Sequence, residues 1–102
     1  MKARDAYART LAEYQVQLAT ALDVCAASAR LCEAEEQMPF ADSVRARALH
    51  FARVQEMEWK VRSAIEVTLF AEGGREAAIK ELDELIELRI QAKDELDTAL
   101  RR

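Results

Sequence analysis

Only two places in this chain of 102 residues offer the backbone a tight turn: Pro39, and the adjacent pair Gly73 and Gly74. A sheet of many hairpins needs a turn every few residues, so two glycines and one proline exclude it. What remains is rich in Ala, Glu, Leu, Arg and Lys, the residues that lose least on entering a helix. The fold class is therefore all-α.

Cut at those two places, the chain reads as three helices in one domain. Helix 1 is expected over about residues 4–36, where Tyr7, Leu11, Tyr14, Leu18, Ala21, Cys25 and Cys32 keep a heptad-like spacing. Val16 points away from this stripe, and Val24 and Leu31 lie on its flank. Glu33, Glu35 and Glu36 crowd the end where the helix dipole disfavours negative charge, so fraying or a nearby basic group is expected there. Helix 2 is read over about residues 41–72. Its start lies between residues 39 and 44, with Pro39 at the first position or Asp42 or Ser43 as the cap. The two glycines end it. Helix 3 is read over about residues 75–101, with Ala78, Ile79, Leu82, Leu85, Ile86, Leu96 and Leu100 inward. Short turns between helices make antiparallel neighbours. The expected architecture is an antiparallel three-helix bundle, a helical hairpin plus a third helix, about 45 Å long. If the bundle opened into a hairpin plus an arm, two copies would intertwine as a dimer. Length and helix count resemble a spectrin-type repeat in architecture alone, without that family's residue signature.

Helix 2 carries the sole histidine, His50, the sole tryptophan, Trp59, and a carboxylate where a core residue should sit. With residues about 100° apart, Glu58 falls on the same stripe as Ile65, Val61, Val54 and Phe51. A buried carboxylate without a partner costs several kcal/mol or stays protonated. If the second hairpin pivots between Gly73 and Gly74, position 58 faces Arg89, which itself interrupts the apolar face of helix 3. A buried Glu58–Arg89 ion pair that fixes register is the economical reading, with Lys93 one turn away as substitute.

Candidate chemistry is thin. Cys25 and Cys32 lie seven residues apart on one helix, about 10 Å along its axis and too far to bridge. Reduced thiols in a cytoplasmic protein follow. Across the first turn His50 falls opposite position 29, between the two cysteines, so Cys25, Cys32 and His50 are weak candidates for a soft metal ion. Helix-borne ligands normally sit three or four residues apart, and no fourth ligand is evident, so no metal or other cofactor is assigned. A di-iron site would need Glu-x-x-His motifs, which this chain lacks. Ser28, Ser43 and Ser63 have no base motif and there is no phosphate-binding loop, so an enzyme is not expected. A net charge of −4 without a dense Lys/Arg run argues against direct nucleic-acid binding. No apolar run is long enough for a membrane span, and the N-terminal residues do not read as a signal peptide.

The informative surplus is apolar residues off the stripe. Trp59 and Phe70 lie on one flank of helix 2 with Ser63, while Leu49 and Val67 sit nearly opposite the stripe centre. Exposed aromatics mark interfaces, and Trp is strongly enriched at binding hot spots. The expected function is non-enzymatic: a protein–protein interaction or assembly module whose partner is a second copy, contacting through Trp59, Ser63, Phe70, Val67 and Leu49. A rival is an acidic inhibitor that presents Glu81, Asp83, Glu84, Glu87, Asp94 and Glu95 to a basic groove. It resembles, in a general way, the compact acidic helical proteins with which phages block host nucleic-acid machinery. A metal-binding bundle using Cys25, Cys32 and His50 is the other rival.

Overall fold

The computed structural model describes residues 1–68, 70 and 73–102. Among them there is no strand, and the chain forms four helices: α1 (Lys2–Gln15), α2 (Ala21–Glu36), α3 (Ser43–Val67) and α4 (Gly74–Leu100). The expected three helices become four because the long first helix breaks after Gln15.

Two local devices make that break. At the end of α1, Gln17 adopts φ 65°, Leu18 N–H donates to the Glu13 carbonyl (2.8 Å) and Gln17 N–H to that of Tyr14 (3.1 Å). This is a Schellman termination with glutamine in the left-handed position that glycine usually takes. At the start of α2, the Thr20 hydroxyl accepts from Asp23 N–H and the Asp23 carboxylate accepts from Thr20 N–H, a reciprocal capping box. The chain reverses between them, and Val16 and Leu18 point into solvent. Leu18 therefore leaves the expected stripe.

The other boundaries follow simpler chemistry. The Asp42 carboxylate accepts from Arg45 N–H (3.1 Å) and starts α3, so Pro39 stays in the turn. Helix α3 ends at Val67, several residues before the expected boundary, because Thr68 turns extended. The rest of the reading to residue 72 falls in part on Leu69, Ala71 and Glu72, outside the described residues. Gly73 at φ 82° caps α4 in a conformation that a side chain would strain.

Helix α2 packs between α1 and α3, and α3 packs along α4, giving a slab of 49 × 28 × 15 Å. The core lies where these helices meet: Val24 and Cys25 from α2, Val54, Met57, Val61 and Ile65 from α3, and Leu85 from α4. Val24 and Leu31 are buried rather than flanking, because α2 faces a helix on either side. Tyr7, Leu11 and Tyr14 of α1 cover this cluster but none is fully buried. On α4, Ala92 and Ala99 are buried, whereas Ile79 and Leu100, expected inward, are exposed. Helices α2 and α4 touch little; a hydrogen bond links them directly near one end, and Arg47 of α3 links them near the other. Ala21 N–H donates to Glu81 (3.2 Å) at one end. At the other, Arg47 donates to Glu36 (2.8 Å) and to the Glu95 carbonyl (2.8 Å).

Candidate functional site

Three groups of side chains on α3 carry the chemistry of this molecule, and each faces a different direction. The first faces α4. Glu58 is buried between the two helices and accepts hydrogen bonds from Arg89 Nε of α4 and, at 3.2 Å, from Arg62 one turn along α3. Both Glu58 oxygens are thereby matched to a guanidinium. Lys93 instead donates to Asp97 at 2.7 Å, along its own helix.

The second group faces α2 and was not anticipated as a unit. Arg53 Nε donates to Ser28 Oγ at 2.7 Å, and Ser28 Oγ lies 2.7 Å from His50 Nδ1. Arginine can only donate, so the serine hydroxyl accepts from Arg53 and shares its second hydrogen bond with the imidazole. Burial first, and the Arg53 charge second, hold the pKa of His50 below the ordinary histidine value. The guanidinium of Arg53 also lies 5.2 Å from the centre of the Tyr7 ring. Its Nη2 stands 3.9 Å from Glu35 Oε1, and neither of these buried atoms has a hydrogen bond, so charge acts across a gap. One arginine thus joins α1, α2 and α3. Together with Arg47 on Glu36, it answers the negative charge crowded at the end of α2.

A serine on a histidine suggests nucleophilic catalysis, but the geometry argues otherwise. Ser28 is wholly buried, and its hydroxyl is already held by an arginine. Cys25 and Cys32 are free and buried. Desolvation, helped by Glu81, raises the Cys25 thiol to about 12. Desolvation and the neighbouring Glu36 raise Cys32 to about 11. Both are protonated near neutrality, whereas thiolate is the form that attacks or binds metal. Cys32 points its S–H along its own helix to Glu36 (3.7 Å), and His50 is engaged by Ser28. Among the described residues, no three His, Cys, Asp or Glu side chains gather as metal ligands would.

The third group is the outer flank of α3. Trp59 is 67% exposed and Val67 82%, with half-buried Ser63 between them, so the three form one i, i+4, i+8 stripe. Leu49 is also exposed, further towards the start of the helix. Phe70 leaves this flank. It lies beyond the end of α3, packs on the core and sits against Gly74, where an added Cβ would come within 3.3 Å of it.

Of the acids on α4, Asp83, Glu84, Glu87, Asp94 and Glu95 face solvent, while Glu81 is half-buried and caps α2. No described helix is long and apolar enough to cross a membrane. The chain matches no known family model, and comparison with curated proteins and with solved structures finds no significant similarity.

Proposed function

We propose that this protein is a non-enzymatic interaction module that pairs with a second copy through the outer flank of α3. The observation that carries the reading is Trp59: an indole two-thirds exposed on a regular helix, continued by exposed Val67. A large aromatic in water gains nothing from folding, and it is the residue most enriched where partners are held. A two-fold axis across α3 would set each Trp59 against its counterpart's Ser63 and Val67, a self-complementary contact. The buried polar groups support a structural role for the rest of the molecule. Glu58 and Arg53 tie helices together, and Ser28 has no access to a substrate. Two free thiols suit a reducing compartment such as the cytoplasm.

Light scattering behind a sizing column, over a concentration series, tests this on the wild type and on Trp59→Asp. The expected result is a wild-type dimer and a variant monomer of unchanged helicity. A wild type that stays monomeric at every concentration, or a variant that still dimerises, would overturn the reading.

A further inference from the structure

The splayed arrangement of α2 and α4 leaves a groove on the side of the slab away from Trp59. Its floor is His50 and Val54 of α3, and its walls carry Ala26 and Ala29 of α2 and Leu88 of α4. Two adjoining depressions of about 160 and 270 Å³ share Ala29, His50 and Leu88. Together they form a furrow open to solvent rather than an enclosed cavity, which suits the side chains of a passing helix better than a free ligand. The groove runs along α2 from Leu22 to Glu33, about 17 Å at 1.5 Å per residue.

We propose that this groove docks a basic amphipathic helix of another protein, a surface and a partner separate from the self-pairing proposed above. Two features of the walls select that occupant. Exposed alanines at Ala26 and Ala29 let a helix backbone approach closely, with its larger apolar side chains dropping beside Leu88 onto the imidazole of His50. The charged groups beside the second depression are Glu33 on α2 and Glu95 on α4, exposed carboxylates with no salt-bridge partner among the described residues. Lys or Arg on both flanks of the incoming helix would meet them. A second copy is disfavoured here, because a two-fold contact would set these acidic walls against their own kind.

A displayed library of helical peptides, each about 18 residues and so able to run past both ends of the groove, is selected on this chain. Core positions are Leu, Ile, Met or Phe at helical spacing, and flanking positions vary freely among Lys, Arg, Gln and Glu. The expected binders are enriched in Lys and Arg at the flanks. By fluorescence anisotropy, an enriched peptide weakens as salt rises and loses at least about tenfold in affinity to Ala29→Trp, which fills the groove from an exposed position. It loses affinity to the E33K/E95K pair and keeps it on Trp59→Asp, which separates this surface from the α3 flank. Circular dichroism verifies that each variant keeps its helices. Absence of binders, flanks without a charge preference, or binders indifferent to Ala29→Trp would each overturn the proposal. So would a dimer of this chain that Ala29→Trp dissociates, since a second copy would then fill the groove.

Discussion

Removing the Glu58 carboxylate and the Arg89 guanidinium, singly and together, should expose how strongly α3 and α4 are coupled. The Glu58 side chain is 12% exposed and Arg89 33%, so their contact is neither a surface pair nor a dry one. A charge-assisted hydrogen bond contributes about 1.5–3 kcal/mol when shielded, and breaking a fully buried pair costs about 3–5 kcal/mol. Partial access of water to Arg89 pulls the expectation to about 2 kcal/mol for Glu58→Ala. Arg89→Ala should cost about 1.5 kcal/mol, less because Arg62 remains on the stranded carboxylate, although that arginine is half in solvent. The double variant should cost about 2 kcal/mol rather than the total of the singles, a coupling of about 1.5 kcal/mol. Replacing both by leucine should come within about 1 kcal/mol of the wild type, since burying hydrocarbon avoids desolvating two ions. Urea unfolding followed by far-ultraviolet circular dichroism reads all four values. Single costs that add within about 0.3 kcal/mol would refute the coupling and reduce the pair to two neighbouring charges.

Gln17→Gly should raise stability by about 0.5–1 kcal/mol, because glycine adopts the left-handed φ of 65° without the clash a side chain meets. The same urea titration checks it, and a loss of stability would mean that the glutamine side chain contributes more than the strain it brings. Acidification should destabilise the fold through His50. Its folded pKa is depressed, so the unfolded chain takes up a proton first, and stability falls as pH drops below about 6.5 until the folded form also protonates. The chain has one histidine, so this part of the pH dependence should vanish in His50→Gln. Urea midpoints measured between about pH 7.5 and 5.5 in both proteins decide the matter, and equal slopes would refute it.

The contact between Glu58 and Arg89 could be read from two charges that interrupt apolar faces at the same distance from the glycine turn. Periodicity and a hairpin pivot were enough, because antiparallel packing turns sequence distance into height along the bundle. The same reasoning set His50 opposite position 29, one residue from its actual neighbour Ser28. Arg53 was invisible to it, since a long basic side chain at the edge of a stripe looks like any solvated one. The break after α1 had a signal, Thr20 with Asp23 three residues on, but the sustained apolar spacing from Tyr7 to Cys32 outweighed it. Gln17 gave no warning. A left-handed backbone at a residue other than glycine leaves no mark in residue type. Phe70 was misplaced because helical phase was carried past the point where α3 stops.

The exposed position of Trp59 also decides what light emitted by this protein means. The chain holds one indole, and it stands in water while every helix is intact. In a single copy its emission therefore sits close to that of the unfolded chain, and unfolding that copy moves it little. A shift to the blue can arise only when something else dries the outer flank of α3. The molecule thus carries an optical probe that reports contact at this flank more than the folding of a single copy.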